Sequence, residues 1–511
     1  MSPLEVLLEL FLTSIPRLDY RCFVMVLPRV QLFWRIVSPR AMSVPLNFFP
    51  VSIGKMKIFL LTGFALLVFA MFALVLVSLY LAKSTGSRVA QKRQAIVNAG
   101  DKVYLSGSAG DLIPADENGM AQFESAVPDL RAFEEGYAKL AFFSNDLNYK
   151  LGPKQIADLE KIIAKYPAMF VELDRAAACT QFVDLSENDD VALDAFGDMH
   201  MELRVAAKAF SAKALVAAYQ GKGDEALQAC EAALNLRPVA SVRPGVLSCL
   251  VDVAAQGIIF NTANQVLQIS TPTPEAIAQF KNRISSIDNV ADFTDAIKGE
   301  RAFGLSMIKR VQESSGDGGS DVIPGGAVLL GNWLGEAYLN DDEEKYMDLM
   351  AAHIELIGQR KKQRDPVLKK IEDDLRTIKF RHVLSKMMVP TLDKAHDAVD
   401  RIEAQLRCMR MMCDHSLTSS NASVVPAAKP ELDPYTGKNL KSKSTATGWL
   451  VYSVGENLID DGGKIVAKDL SSQPLDTGFG PLLLPLTASE PGISEPGTSE
   501  PDVVPAVPSE S

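Results

Sequence analysis

The sequence predicts a mainly α-helical protein tied to a membrane by a single N-terminal helix. Three observations carry this: an uncharged apolar run at residues 58–82, a long succession of amphipathic segments, several opened by proline, and a short strand-rich stretch ahead of a tail without lysine or arginine. The expected organisation is an N-terminal segment (1–57), a transmembrane helix (58–82), a helical domain of antiparallel hairpins (83–413), a polar linker (414–432), a small C-terminal β-hairpin element (433–470) and a disordered tail (471–511).

The apolar run comes first because it fixes the solvent. At about 1.5 Å per residue its length reaches about 37 Å, more than the ~30 Å hydrocarbon core of a bilayer. It exceeds the apolar core of a signal peptide, and no small-x-small cleavage site follows. Residues 1–55 mix apolar runs with prolines and arginines. Met56 and Lys57 read as an ordinary start for a bacterial membrane protein, so the natural chain is expected to begin at Met56, with a membrane-surface segment as the alternative.

Charge bounds the partners. Residues 1–57 carry seven Lys/Arg against three Asp/Glu, whereas the rest carries 45 against 60, within a net charge of −11. Such an acidic body repels phosphate backbones, which excludes nucleic acid as the main partner. The cysteines at 22, 179, 230, 249, 408 and 413 are too scattered for a disulfide framework. Arg40, Lys55 and Lys57 precede the apolar run, and Lys83, Arg88, Lys92, Arg93 and Lys102 follow it. That count alone tilts towards a cytoplasmic body, although long domains are exported largely regardless of it.

Along the body, residues 88–99 continue as helix and Gly100 ends it in the left-handed region. Two short amphipathic pieces broken at Pro128 follow, and Pro153 and Pro167 each open a further helix. Residues 199–236 form a helical hairpin in which Leu215, Tyr219, Ala226, Ala233 and Pro238 resemble the tetratricopeptide signature, although an ordinary antiparallel pair is the favoured reading. Residues 334–346 echo its first half. Helices are then expected at 244–270, 274–287 and 291–313, and, past a glycine-rich loop at 314–326, at 327–339, 343–359, 365–388 and 391–413. The loop lacks the Lys-Ser/Thr of a phosphate cradle. Residues 433–470 hold short β-rich runs, GWLVYSV above all, between Gly, Asn and Asp turns. The tail repeats SEPGI, SEPGT, SEPDV and lacks the apolar surface to order itself.

One place collects candidate ligands. Asp460, Asp461 and Asp469 surround Gly462 and Gly463, and calcium takes six to eight oxygens from carboxylates, carbonyls and water. A hairpin turn with solvated acids is the alternative. Cys408, Cys413 and His415 have the wrong spacing for a shared site on one helix face, Cys230 and Cys249 lie on consecutive helices, and His200, His353, His382 and His396 have no ligand spacing. Ser306 and Lys309 make a Ser-x-x-Lys and Ser419 with Asn421 a Ser-x-Asn, yet the third element reads Thr-Gly-Lys at 436–438 in the wrong order. A hydrolase is therefore a third and weaker reading.

Two resemblances add to these observations. The order of RQAIVNAGDKVYL, PADENGMAQFESA, AAACTQF, the turn at 220–226 and AIKGERAFGL resembles a family of uncharacterised, membrane-anchored, helix-rich bacterial proteins, over most of residues 88–470. That family brings no activity to transfer. DPYTGKNL, YSVGENLIDDGG and KDL resemble the C-terminal hairpin of the major pseudopilins of type II secretion. The likeness implies calcium at Asp460, Asp461 and Asp469 and a domain outside the cytoplasmic membrane. Pseudopilins carry a glutamate five residues into the mature chain, where Val68 stands here, and a basic residue before Gly-Phe, where Thr62 stands. The expected function is a non-catalytic scaffold or protein-interaction module of the cell envelope, anchored in the inner membrane with a periplasmic body. The alternative is a calcium-binding component of a secretion or pilus-like apparatus.

Overall fold

The computed structural model describes residues 53–105, 113–114, 116–140, 149–183, 198–242, 245–314, 331–377, 382–389, 392–420, 430–465 and 476–483. The molecule comprises two units, Met1–Val77 and Ser78–Ser511. It is mainly helical with a small antiparallel sheet, as expected.

Helix α1 (Ile53–Asn98) supplies everything described of the first unit. From residue 62 to residue 72 its side chains all stand exposed, Phe69 at 70%. Gly100 follows at φ +80°, the left-handed stop that the sequence announces.

The second unit has two apolar cores. The larger is built from α2 (Gly119–Tyr137), α3 (Pro153–Ile163), α4 (Pro167–Ala178), α5 (Asp198–Tyr219), α6 (Gly223–Asn235), the short α7 (Pro238–Ser241), α8 (Val246–Ile269) and α9 (Pro274–Ser285). Alanines 206, 207, 209, 212, 214, 217 and 218 of α5 are buried, so neighbouring backbones approach closely. Gly221 at φ +77° turns the chain into α6, with the Lys222 amide donating to the Ala217 carbonyl and the Gly221 amide to that of Ala218. Those bonds close the hairpin. The smaller core joins Val89 and Ile96 of α1 to α10 (Asn289–Ser314), α11 (Gly331–Leu356) and the first turns of α14 (Leu392–Ser420). Between α11 and α14 lie α12 (Lys361–Thr377) and α13 (Val383–Met388).

Helix α8 is also long and apolar enough to cross a membrane, but most of its apolar window is buried inside the protein. Three of its polar residues find partners there: Asp252 in Arg237 at 2.8 Å, Thr262 in Ser211 at 2.6 Å, and Gln268 in the Gly480 carbonyl at 2.6 Å. A helix carrying those partners belongs to a core.

Several sequence expectations are corrected. Pro128 does not break α2: Phe123, Ala126, Leu130, Phe133 and Tyr137 are all buried along one face. Each large side chain contributes about 1.5–3 kcal/mol on burial, which together outweighs the ~3 kcal/mol cost of an interior proline. The two helices expected at 327–339 and 343–359 are one, α11, so the partial tetratricopeptide echo at 334–346 lies in mid-helix and makes no hairpin. The buried Asp342 carboxylate instead caps α13, accepting from the Leu384 amide at 2.8 Å and the Ser385 amide at 2.9 Å. The helix expected at 365–388 starts earlier, at Lys361, and is divided before α13, where His382 adopts φ +56°. Helix α14 reaches Ser420 rather than stopping at residue 413.

The C-terminal element is a three-stranded antiparallel sheet, β1 (Lys441–Thr445), β2 (Gly448–Ser453) and β3 (Thr477–Phe479), in the order β1-β2-β3. The expected boundary at 470 is therefore wrong. β3 escapes the strand pattern because its middle residue is a glycine: a Cβ on Gly478 would collide with the β2 backbone at Val451 and Tyr452. Phe479, fully buried, anchors it. Residues 484–511, the rest of the expected tail, lie outside the described residues, as do 1–52.

A second close approach yields a test. Tyr346 of α11 lies against Gly304 of α10, its hydroxyl donating to the Glu300 carbonyl at 2.8 Å, and leaves no room for a Cβ. Gly304→Ala should therefore lower stability by about 1–2 kcal/mol in chemical denaturation, although alanine is the better helix former. A gain in stability would show that Tyr346 moves aside freely.

Candidate functional site

The loop after β2 carries the acidic residues. Lys441 and Lys443, two residues apart on β1, point the same way. Lys441 Nζ lies 2.9 Å from Asp460 Oδ2, and Lys443 Nζ donates to the Gly462 carbonyl at 2.6 Å. Asp460 Oδ1 accepts from the Tyr452 hydroxyl and the Gly462 amide, each at 3.1 Å. The Lys441 hydrogen bond holds the Asp460 carboxyl below its ordinary range. Asp461 turns to the side-chain amide of Asn457 at 2.8 Å. Asp469 lies outside the described residues.

The residue that shapes this loop is Asp476, which sequence reasoning missed. Its buried carboxylate accepts the amides of Gly463 at 2.7 Å and Lys464 at 3.0 Å, with Asp461 at 3.4 Å. Among the described residues no three His, Cys, Asp or Glu side chains gather to hold a metal ion.

A second cluster lies where α12 and α14 meet the turn before β1. Lys361 and Arg364 sit one turn apart on α12, and Asp397 and Asp400 one turn apart on α14. Asp397 Oδ1 accepts from Lys361 Nζ at 2.6 Å and from Arg364 at 2.9 Å, and Asp400 accepts from Arg364 at 2.7 Å. The Arg364 side chain is 1% exposed. Burial pushes the Asp400 carboxyl up to about 6, with Arg364 opposing and Asp397 adding to it. For Lys361 burial acts downward, but Asp397 and Asp365 outweigh it and hold the ammonium above its ordinary value.

The turn at 433–438 docks on this cluster. The buried Asp433 carboxylate accepts from the Tyr435 amide and the Ser453 hydroxyl, both at 2.9 Å, which fixes the turn on β2. Tyr435 is buried, Arg360 lies flat over Gly437 at φ +68°, and Arg407 donates to the Leu432 carbonyl at 2.7 Å. Next to the cluster, His353 and His396 stack with ring centroids 5.7 Å apart, and the Phe293 ring stands edge-on to His396 at 4.9 Å. Burial lowers His353 to about 4, against the pull of Asp393, and lowers His396 to about 3, with Arg364 and His353 adding to the fall.

No protein-family model, curated protein or solved structure matches this chain.

Among the described residues the other motifs are not brought together, and Asn421 lies outside them. Ser306 accepts from the Leu105 amide and donates to the Ala302 carbonyl, each at 2.9 Å, while the Lys309 ammonium lies over the Tyr104 ring. Cys179, Cys230, Cys249, Cys408 and Cys413 are free thiols. Burial pushes Cys413 and Cys249 up to about 12, so neither is a ready thiolate. His415 stacks on Trp449 at 4.5 Å. The spacing that would have revealed the buried cluster is Lys-x-x-Arg on one helix and Asp-x-x-Asp on another.

Proposed function

We propose that the chain is a membrane-anchored, non-catalytic scaffold or interaction protein of the bacterial cell envelope, with α1 as its single span and the helical body on the periplasmic side. The observation that supports this best is the exposed apolar surface of α1 over residues 62–77, which no water-soluble fold leaves uncovered at such length. The charged cluster of α12 and α14 suits a structural part, since its ions face one another. The full chain expressed in a bacterial host should stay in the membrane pellet after carbonate extraction, and deletion of residues 58–77 should move it to the supernatant. A full-length chain that partitions to the supernatant would overturn the anchor.

The second reading is calcium binding by the loop that carries Asp460 and Asp461. The feature in its favour is the pair of left-handed glycines, Gly462 at φ +78° and Gly463 at φ +79°, beside those carboxylates. Calcium would have to displace Lys441 from Asp460 and Lys443 from the Gly462 carbonyl. On this reading, calcium titration of the detergent-solubilised protein gives heat that D460N/D461N abolishes. An absence of heat in the parent protein removes calcium from the account.

A further inference from the structure

Helices α1 and α11 run parallel along the second unit. Arg88 donates to Glu344 at 2.7 Å and Lys92 pairs with Asp348, both at an offset of 256 residues, and Lys92 also lies 3.6 Å from Glu344 and Arg93 2.6 Å from Glu343, at offsets of 252 and 250. Gly86 faces the side-chain amide of Asn340, within half a turn of the same offset. Carried back along the pair, that register places Tyr80 within about a turn of Glu336, near the start of α11. Both residues are exposed, Tyr80 at 72%.

Burial begins abruptly at this level. Residues 62–72 are all exposed, whereas Ser78 is 3% exposed and Ala82, Thr85 and Val89 are buried at helical spacing behind it. Residues 58–77 span about 30 Å of helix, the thickness of the hydrocarbon core. Along the one helix the apolar run of that length therefore ends at the residue where burial begins. The exposed residues that follow, Tyr80 and Lys83, are of the kinds that settle among lipid headgroups: an amphipathic ring and a cation on a long stem.

From this we infer that the helical body is seated directly on the bilayer surface, with the first turns of α11 around Glu336 sharing the headgroup layer with Tyr80 and Lys83 of α1. The inference rests on the reading of α1 as a membrane span and adds to it a lipid-facing edge of the body.

Tryptophan depth measurement tests both and separates them. In full-length protein carrying W34F/W333F/W449F, single tryptophans are placed by Y80W, E336W or A90W, all at exposed positions. The proteins are reconstituted into phosphatidylcholine vesicles brominated either shallow or deep on the acyl chain. Y80W and E336W should lose most of their emission to shallow bromines and little to deep ones, while A90W, about 15 Å further along α1, should keep its emission. Quenching of Y80W without E336W would overturn the seat and leave the span standing. Quenching of A90W as strong as that of Y80W would put the lipid surface at the wrong level and overturn it too. Absence of quenching at all three positions, with helical circular dichroism unchanged, would overturn the span and the seat together.

Discussion

Replacing Asp397 with alanine should cost about 3–5 kcal/mol of folding stability, because it takes away the carboxylate closest to Lys361 and one of the two closest to the enclosed Arg364, leaving the more exposed Asp365 and Glu456 beside Lys361 and Asp400 with Asp365 beside Arg364. Arg364 is enclosed, so water cannot take the place of the lost carboxylate. The pair geometry is not itself the source of that large figure. A buried ion pair gains little over an apolar filling of the same volume, whereas an unpaired buried charge is costly. It follows that the quadruple variant K361M/R364M/D397L/D400L should lose less than D397A alone, despite four changes. Urea denaturation of the solubilised protein at pH 7 measures both. A loss below about 1 kcal/mol for D397A would mean that the cluster is already hydrated.

The stacked histidines should make the protein acid-labile. His353 and His396 titrate near 4 and 3 in the folded protein against an ordinary value of 6.5, so at pH 5 the unfolded chain binds protons that the folded one does not. Folded values that lie low mean stability that is present above pH 6.5 and lost as pH falls below it. Between pH 8 and pH 5 each imidazole accounts for about 2 kcal/mol, and the pair for about 4. The surrounding charges act in both directions. Asp393 draws His353 upward and Arg364 presses His396 downward, while Asp400, with its folded value raised to about 6, favours the folded state as pH falls and returns about 1 kcal/mol of the loss. His396→Leu removes one imidazole and leaves Asp400 in place. Its stability should therefore fall by about 2 kcal/mol less than the parent's over that pH range. Superimposable pH profiles for parent and variant would show that His396 is not held neutral by burial.

Local signals told most about where helices begin and end. Proline at the first helical position opens α3, α4 and α9, and Gly100 and Gly221 close α1 and α5 at positive φ. Those are backbone properties of single residues, so a sequence displays them directly. What escaped was decided by partners distant in the chain. Pro128 stays helical because a buried face outweighs it, α11 runs on through Asn340 and Asp341 with Asp342 turned to cap α13, and β3 lies close on β2 where Gly478 leaves room. The candidate sites divide in the same way. The acidic loop at 460–463 was visible as composition. Its organiser Asp476 was not, and neither was the cation–carboxylate cluster, because each half of that cluster reads alone as an ordinary charged helix surface.

Leu440, just ahead of β1, and Val451 and Phe479 of the sheet are part of the same apolar interior as α5, α8 and α14. Gln268 near the end of α8 finds its acceptor at Gly480, 212 residues later. During synthesis at about 5–20 residues per second, α8 emerges roughly 10–40 s before the strand that completes its surroundings. For that interval the bundle must wait open on one side, so a ribosome stalled or a message truncated short of Phe479 would release a chain whose interior is still exposed, a substrate for chaperones and proteases.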